Sequence, residues 1–248
     1  MKLSGKTAIV TGGASGFGAG IVKCFAQEGA NVVVADVNLD AARETASAIG
    51  ETATAVLCDV TKLAGFEAAL EHAHKSYGGF DILVNNAGIG QRPTALEDVE
   101  DALFDQIFDV NIRSIFNGAK CVVPTLKKNG GGVILNVAST GAVRPRPNLT
   151  WYNASKGWVT AATRGMAIEL APHNIRVNAI NPVAGATPML ATFMQEDSDD
   201  GRQSMIDTIP LGRLSTPQDM GQAAAFLCSD EAQMITGVAL EVDGGRCI

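Results

Sequence analysis

The sequence predicts an α/β fold in which helices cover both faces of a seven-stranded parallel sheet. Short apolar runs rich in β-branched residues recur along the 248 residues, as expected of strands buried in a parallel sheet. Segments with helical periodicity separate these runs, and strands that alternate with helices pair in parallel through right-handed crossovers. The predicted strands occupy residues 7–11, 31–36, 53–58, 81–86, 132–139, 175–181 and 237–243.

The first helical segment illustrates how the sequence delimits an element. In GAGIVKCFAQEG, the residues Ile21, Val22 and Phe25 fall on one face of a helix, and Gly29 stands where that helix would end. No proline- or serine-rich linker and no internal repeat interrupts the alternation of strands and helices. The sequence therefore predicts one domain that spans residues 1–248.

One segment, at about residues 184–213, departs from this alternation. It lies between the sixth and seventh predicted strands and contains Pro188, Pro210 and the acidic run QEDSDDG. Long insertions in compact domains are typically lids or binding loops. We predict a substrate loop here, and the alternative is a solvated surface excursion.

Composition narrows the class of protein. Hydrophobic residues make up 46% of the chain, and the formal net charge is −7. A negatively charged protein repels the phosphates of nucleic acids and of anionic membranes, so neither is an expected partner. The first residues, MKLSGKTAIV, lack the apolar core of a signal peptide, and no apolar run is long enough for a membrane helix. We expect a soluble, cytoplasmic protein.

The cysteines are scattered and odd in number. Their spacing never matches C-x-x-C, so it fits neither a disulfide framework nor a zinc site. We expect reduced thiols and no bound metal. The five residues are Cys24, Cys58, Cys121, Cys228 and Cys247.

A glycine-rich stretch, TGGASGFG at residues 11–18, follows the first strand and opens the first helix. At this turn of a parallel sheet, a pyrophosphate can meet a helix N-terminus. Gly12, Gly16 and Gly18 would allow a tight turn, a close approach of the phosphates and close packing of the helix. The spacing is one residue longer than the general dinucleotide fingerprint, and a plain glycine turn is the alternative.

Asp36, at the end of the second strand, indicates which dinucleotide would bind. A carboxylate at this place can accept hydrogen bonds from the adenosine ribose hydroxyls and would repel a 2′-phosphate. The sequence therefore favours NAD over NADP. The alternative is that Asp36 only caps the helix that starts near Asn38.

Tyr152 and Lys156 in WYNASKG are four residues apart, which places both side chains on one face of a helix. The pKa of a free tyrosine is about 10, and a neighbouring ammonium lowers it by stabilising the phenolate. The pair would then exchange protons near neutral pH.

Two further polar residues accompany this pair. Ser139 ends the predicted fifth strand at the same sheet edge as the glycine turn, so its hydroxyl could hold a substrate oxygen beside Tyr152. Asn111, in DVNIRSIF, could bind a main-chain carbonyl or a water that relays protons to Lys156. The alternative for Asn111 is a buried polar residue satisfied by its own helix.

In combination, these motifs resemble the short-chain dehydrogenase/reductase family, in its single-domain branch of about 250 residues. Their order and approximate spacing match the family over essentially the whole chain. The residues that carry the resemblance are TGGASGFG, Asp59 and Val60, NNAG (85–88), Asn111, Ser139, YNASK and EVDGG (241–245).

The resemblance implies a doubly wound Rossmann fold, hydride transfer to or from nicotinamide, and a homotetramer or homodimer. It implies that Ser139 polarises the substrate oxygen, Tyr152 exchanges the proton, Lys156 lowers the tyrosine pKa and binds the nicotinamide ribose, and Asn111 supports the proton relay. The expected cofactor is NAD, held by Gly12, Ser15, Gly16, Phe17, Gly18, Asp36, Asp59, Val60, Asn86, Ala87, Gly88, Tyr152, Lys156, Pro182 and Thr187.

One position departs from the family. After the sixth strand the family usually has N-P-G, whereas this chain has NPVAGATPM, with Val183 in place of the glycine. A left-handed conformation would be costly for a β-branched residue. The backbone is therefore expected to differ locally beside the nicotinamide, while Pro182 and Thr187 keep their separation.

The substrate is expected to be a small alcohol or carbonyl compound, and three loops should border its site. They carry Arg92, Arg144 and Arg146, whose guanidinium groups would suit an anionic substrate. Ion pairs with surface acids or contacts with other subunits are the alternative, and the terminal Arg246-Cys247-Ile248 is a candidate for a subunit interface. An apolar wall is expected from Trp151, Met189, Phe193 and Met194.

The leading prediction is thus an NAD(H)-dependent oxidoreductase that interconverts an alcohol and a carbonyl compound. An NADPH-dependent 3-oxoacyl carrier-protein reductase is the second enzyme hypothesis, against which Asp36 and the lack of a basic residue in TGGASG count. A third hypothesis is a non-catalytic nucleotide sensor or scaffold, although Ser139, Tyr152 and Lys156 are all present.

Overall fold

A computed structural model describes residues 1–194 and 198–248. Part of the predicted acidic run, residues 195–197, lies outside the described residues. The strands are β1 (Thr7–Thr11), β2 (Asn31–Asp36), β3 (Ala53–Leu57), β4 (Ile82–Asn85), β5 (Gly132–Val137), β6 (Ile175–Pro182) and β7 (Ala239–Val242). The α-helices are α1 (Gly16–Gln27), α2 (Leu39–Ile49), α3 (Leu63–Tyr77), α4 (Asp101–Phe108), α5 (Ser114–Lys128), α6 (Thr150–Leu170), α7 (Asp199–Ile206) and α8 (Pro217–Cys228).

The seven strands form one sheet in the order β3-β2-β1-β4-β5-β6-β7, and every pairing is parallel. The predicted α/β class with a doubly wound, seven-stranded parallel sheet is confirmed. The strand order reverses between β1 and β4. In such sheets the crevice beyond the carboxyl ends of the strands at this switch point is where ligands bind.

The central strands pack side chains alternately into two apolar layers, because successive side chains point to opposite faces. In β2, Val32 and Val34 join the layer that contains Phe25 of α1, whereas Val33 joins the layer that contains Phe66 of α3. Both phenylalanines are almost fully buried, and burial of such a side chain stabilises the fold by roughly 1.5–3 kcal/mol. This two-sided burial explains why the strands are continuous apolar runs in the sequence.

The observed strands differ from the predicted ones mainly at their ends. β5 ends at Val137, so the prediction that Ser139 ends this strand is wrong by two residues. Ser139 keeps an extended backbone and caps a short 3₁₀ turn, Thr140–Ala142, by accepting a hydrogen bond from the amide of Gly141 at 3.0 Å. The local hydrogen bond competes with the sheet ladder and takes Ser139 out of it.

The predicted substrate loop at 184–213 contains regular structure. A 3₁₀ helix, Pro188–Phe193, precedes α7, and Leu190, Met194 and Met205 form a small buried cluster between them. The described part of this segment therefore has an apolar core of its own.

No helix in the described part of the chain is long and apolar enough to cross a membrane.

Candidate active site

A cavity of about 1010 Å³ lies at the carboxyl ends of the strands. The glycine turn, the residues that follow β2 to β6, and the described part of the 184–213 segment all contribute to its walls. All fifteen residues predicted to contact the cofactor line it. Ligand pockets commonly measure about 300–1,000 Å³, so this cavity has room for a large ligand.

Close packing requires the glycines of the turn. Gly12 has a φ of +62°, in the left-handed region, and a Cβ on Gly18 would lie within 2.0 Å of the carbonyl oxygen of Gly12. Ser15 precedes α1 with an extended backbone, and its side chain makes no capping hydrogen bond. The first amides of α1 carry a positive partial charge at the edge of the cavity, and few side chains obstruct them.

A hydrogen-bond network fixes the turn against the residues after β4. The Asn86 side chain donates to the carbonyl oxygens of Thr11 at 2.9 Å and Gly12 at 3.0 Å. The Thr11 hydroxyl accepts from the amides of Asn86 and Ala87 at 3.1 and 3.2 Å. These bonds explain why the NNAG sequence accompanies the glycine turn.

Asp36 lines the cavity at the end of β2. Its carboxylate accepts hydrogen bonds from the amides of Ala14 at 3.1 Å and Asn38 at 2.9 Å. The cap of α2 is Asn38, whose side chain accepts from the amide of Ala41. The alternative that Asp36 caps this helix is therefore wrong, and its charge faces the cavity.

Tyr152, Lys156 and Ser139 meet at the centre of the cavity. Tyr152 and Lys156 lie on α6, and both are buried. The Lys156 ammonium donates to the carbonyl oxygen of Val137 at 2.9 Å and lies 6.0 Å from the centre of the Tyr152 ring. The Ser139 side chain lines the same cavity and lies close enough to Tyr152 to lower the pKa of its phenol. The structure thus brings together three of the four predicted catalytic side chains.

Burial shifts the pKa values of both members of the pair. Burial raises the pKa of Tyr152, and the Ser139 side chain opposes this shift. Burial also lowers the pKa of Lys156 to about 8. Lys156 is not among the causes of the Tyr152 shift in the described structure, so its lowering of the Tyr152 pKa stays a prediction.

Asn111 is buried behind the cavity and does not line it. It lies in a π-helical turn, Asp109–Arg113, between α4 and α5. Its amide group donates to the carbonyl oxygen of Ile89 and to the Ser155 hydroxyl, both at 3.1 Å, and its carbonyl accepts from the amide of Ile89 at 2.9 Å. The alternative that Asn111 is satisfied within its own helix is therefore wrong.

Gly88 connects Asn111 with Lys156. A Cβ built on Gly88 would lie 3.3 Å from both the Oδ1 of Asn111 and the Nζ of Lys156. These two polar groups therefore approach the same point of the backbone, and a Cβ there would be in tight contact with both.

Val183 does not impose the expected strain. The described non-glycine residues with positive φ are Asn148 and Asn174, so Val183 has an ordinary backbone conformation. Its side chain is buried, and its amide donates to the carbonyl oxygen of Val242 at 3.4 Å. The bonding to β7 continues past the strand end and avoids a left-handed turn.

The predicted apolar wall is present in part. Met189, Phe193 and Met194 line the cavity, and the Phe193 ring packs against the Tyr152 ring with centroids 5.0 Å apart. Trp151 does not line the cavity, because its ring packs edge-on against Phe104 of α4. The prediction that places Trp151 at the substrate is therefore corrected.

Two of the three predicted arginines line the cavity. Arg144 and Arg146 line the cavity, whereas Arg92 is exposed and lies outside it. Gln91, beside Arg92, is instead buried, and it accepts from the amide of Tyr152 and donates to the carbonyl oxygen of Asn148. The local chain direction that buries Gln91 turns Arg92 outward.

Asn153 and Arg246 are among the residues of the cavity wall that sequence reasoning missed. Asn153 follows Tyr152 on α6 and donates to the carbonyl oxygen of Arg146 at 2.9 Å. Its position inside the YNASK motif was an available signal. Arg246 lies after β7, and no local pattern in the sequence relates it to the distant loops.

Within the described residues, no group of three or more histidines, cysteines or acids is arranged to hold a metal ion.

Comparison with known proteins identifies the family to which the chain belongs. A family model described as enoyl-(acyl carrier protein) reductase matches residues 12–246. The chain is 46% identical over 252 residues to 4-formylbenzenesulfonate dehydrogenase TsaC1/TsaC2 of Comamonas testosteroni, and the match covers 100% of both chains. The chain belongs to the short-chain dehydrogenase/reductase family.

Two solved members of this family are similar over nearly the whole chain. A 3-ketoacyl-(acyl-carrier-protein) reductase from Brucella melitensis, complexed with NADH, has 53% identity and a TM-score of 0.94, with 99% of this chain and 100% of that chain covered. A 7α-hydroxysteroid dehydrogenase, complexed with NADH and 7-oxo glycochenodeoxycholic acid, has 40% identity and a TM-score of 0.92, with 98% and 95% covered. The protein is an NAD(H)-binding oxidoreductase of the short-chain dehydrogenase/reductase family.

Proposed function

We propose that the protein interconverts an alcohol and a carbonyl compound with NAD(H), and that Tyr152 is its general acid and base. The observation that carries this proposal is that Tyr152, Ser139 and Lys156 line the same cavity as the glycine turn and Asp36. A proton-exchanging phenol and a nucleotide cradle in one cavity are what hydride transfer to or from a carbon–oxygen group requires.

The chain's own residues fit a dinucleotide. The open backbone at Gly12 and Gly18 leaves space where a Cβ would clash, and the N-terminus of α1 offers amides to a pyrophosphate. The Asp36 carboxylate is bonded only by main-chain amides in the described structure, so it can also accept from ribose hydroxyls. The bound cofactor would supply or accept the hydride.

Proton exchange is the task of the protein. In alcohol oxidation, Ser139 holds the substrate hydroxyl and the ionised Tyr152 removes its proton. In carbonyl reduction, the neutral phenol of Tyr152 donates a proton to the oxygen that becomes the alcohol. Because burial raises the pKa of Tyr152, carbonyl reduction is favoured near neutral pH and oxidation at higher pH.

Lys156 and Asn111 support this exchange. The Lys156 ammonium stabilises the negative charge that develops on Tyr152, and it would also bind the nicotinamide ribose. Asn111 holds Ile89 and Ser155 in place and thereby orients α6, to which Tyr152 and Lys156 belong. Its position in a π-helical turn is consistent with this role, because such turns occur frequently at functional sites.

The substrate class we propose is an aryl alcohol or aldehyde that carries an acidic group. The Comamonas relative is named for an aromatic aldehyde with a sulfonate. Phe193 and Met189 offer apolar surface beside Tyr152, and arginines line the same cavity.

A second candidate is the reduction of a 3-oxoacyl group on an acyl carrier. The Brucella structure, described as a 3-ketoacyl-(acyl-carrier-protein) reductase with NADH, favours it. Turnover of acetoacetyl-coenzyme A faster than of any aryl aldehyde, with NADH, would select this candidate.

We also propose that residues 1–248 act as one domain, in a cytoplasmic homotetramer, with a homodimer as the alternative. The exposed aromatic side chains of Phe104, Phe108 and Phe116 on α4 and α5 support subunit contacts, and the five free thiols support a reducing compartment. Light scattering of the purified protein distinguishes two subunits from four.

The experiment that tests the proposed function is initial-rate NAD reduction, with NADP as the control, across paired neutral and acidic aryl, aliphatic and sugar alcohols. We expect turnover of at least one aryl alcohol and a clear preference for NAD. Absence of turnover over the whole panel, with tight NADH binding, would instead support a nucleotide sensor.

A further inference from the structure

Three arginines, Arg144, Arg146 and Arg246, line the cavity beyond the carboxyl ends of β5 to β7. Arg144 and Arg146 belong to the loop before α6, and Arg246 follows β7. The chain as a whole has a net charge of −7. Within the described residues, none of the three has an aspartate or glutamate partner within ion-pair distance. Among the described residues, this wall therefore carries positive charge in an otherwise acidic protein.

Arg144 has a structural task. Its guanidinium donates to the main-chain oxygens of Arg246 at 2.7 Å and of Ile248 at 3.4 Å. These bonds fasten the segment after β7 to the loop before α6. Arg144 therefore places Arg246 beside the cavity, although the two residues are distant in the sequence.

Arg146 is half-buried and lines the same cavity as Arg246. Its guanidinium donates to the carbonyl oxygen of Phe193 at 3.4 Å, and Asn153 holds its main-chain oxygen at 2.9 Å. Burial and the charge of Arg246 both lower the pKa of Arg146. In the described structure the Arg146 guanidinium donates one hydrogen bond and the Arg246 guanidinium none, so most of their donors remain for a ligand.

We propose that Arg146 and Arg246 together bind a carboxylate or sulfonate group of the substrate. This inference rests on the proposed function, whose substrate it makes specific. Arginine suits such planar or trigonal anions because its guanidinium can donate two parallel hydrogen bonds.

The position of the two arginines indicates that they bind the substrate rather than the phosphates of the cofactor. The glycine turn and Asp36 lie at the ends of β1 and β2, whereas Arg146 and Arg246 follow β5 and β7 on the other half of the sheet. Phe193 connects the pair with the reacting centre, because its carbonyl accepts from Arg146 while its ring packs on Tyr152. An aromatic ring beside Phe193 would thus carry its reacting carbon toward Tyr152 and its anion toward the arginines.

The test compares benzyl alcohol with 4-carboxybenzyl alcohol in the wild type and in Arg246→Gln, Arg246→Lys and Arg146→Gln. Arg92→Gln is the matched control, because Arg92 is exposed and outside the cavity. Arg246 is the preferred position, since no described hydrogen bond uses its guanidinium as a donor. Steady-state kcat and KM are measured for both alcohols, and thermal melting confirms folding.

For the acidic alcohol, we expect Arg246→Gln and Arg146→Gln to lower kcat/KM about tenfold or more, mainly through KM. Benzyl alcohol should be affected by less than about twofold, Arg246→Lys should restore part of the loss, and Arg92→Gln should change neither substrate. Equal losses for the two alcohols, or a wild type indifferent to the carboxylate, would overturn the inference.

Calorimetric titration with benzoate in the presence of NADH separates this inference from the proposed reaction. Benzoate should bind the wild type and Arg92→Gln, and should bind Arg246→Gln about tenfold more weakly. This result without turnover of any alcohol would retain the anion site and reject the proposed function. No difference in benzoate binding between the wild type and Arg246→Gln would reject the anion site itself.

Discussion

Lys156 is held as a buried ammonium whose hydration is replaced by one described hydrogen bond, to the carbonyl oxygen of Val137. Its pKa falls from 10.5 to about 8 for this reason. A cation whose pKa is lower in the folded state destabilises that state whenever it is protonated. Between about pH 8 and 10.5 the unfolded chain retains a proton that the folded chain has lost, so this contribution to stability rises with pH.

Replacement of Lys156 by methionine should therefore stabilise the fold at pH 7 while it abolishes turnover. The advantage of the variant over the wild type should shrink as the pH rises from 7 to 10, because the wild-type amine becomes neutral. Urea unfolding of both proteins at the two pH values measures this difference. The buried thiols contribute equally to both proteins and cancel in the comparison. A difference that does not change with pH would show that Lys156 is not desolvated as described.

Asp36 is the residue that we expect to select the cofactor. Asp36→Asn keeps an oxygen acceptor for the neighbouring amides but removes the charge, and Asp36→Ala removes both. Each variant should lower the ratio of kcat/KM for NAD to that for NADP by about tenfold or more, because repulsion of the 2′-phosphate is lost. Initial rates with both cofactors measure the ratio. A ratio equal to that of the wild type would place the selection of the cofactor elsewhere.

At the scale of elements, the π-helical turn between α4 and α5 brings Asn111 to Ile89 and Ser155, while Gly88 lies between Asn111 and Lys156. Gly88→Ala should displace these two polar groups and lower kcat by about tenfold or more, because Lys156 would no longer be held in position beside Tyr152. Measurement of kcat and of NADH affinity shows whether the defect lies in proton exchange or in binding.

Gly157→Ala is the matched control for this prediction. Gly157 follows Lys156 on α6, and a Cβ there would meet nothing within 4 Å. An alanine inside a helix should stabilise it by about 0.5–1 kcal/mol relative to glycine and leave turnover unchanged. If both variants retained full activity, the close contact at Gly88 would have no catalytic meaning.

The sequence predicts these elements unevenly, and the reasons are physical. The strands could be predicted because both faces of the sheet are buried, which makes each strand a continuous apolar run. The π-helical turn could not, because no residue in DVNIRSIF marks the extra residue per turn that accompanies the bonds of Asn111 to Ile89 and Ser155. At Val183, the glycine that is usual in the family suggested a left-handed turn. The amide of Val183 instead bonds to Val242, and no left-handed turn forms.

At the scale of the whole molecule, the site depends on contacts between distant parts of the chain. Local motifs predicted the glycine turn, Asp36, Ser139, Tyr152 and Lys156, because each stands at the carboxyl end of a strand or at a fixed helical spacing. Local motifs did not place Arg246 in the cavity wall, and they wrongly placed Trp151 there. Only the folded chain shows that Arg144 fastens Arg246 to the cavity and that Phe104 draws Trp151 away from it.

The central claim, that this fold oxidises alcohols through Tyr152, is tested most directly by Tyr152→Phe. This variant keeps the ring that packs against Phe193 and removes the hydroxyl that exchanges the proton. NADH affinity, followed by fluorescence titration, should stay within about twofold of the wild type, while turnover of the best alcohol should fall by about 10²–10⁴-fold. Full turnover by Tyr152→Phe would contradict the claim and require another proton acceptor in the cavity.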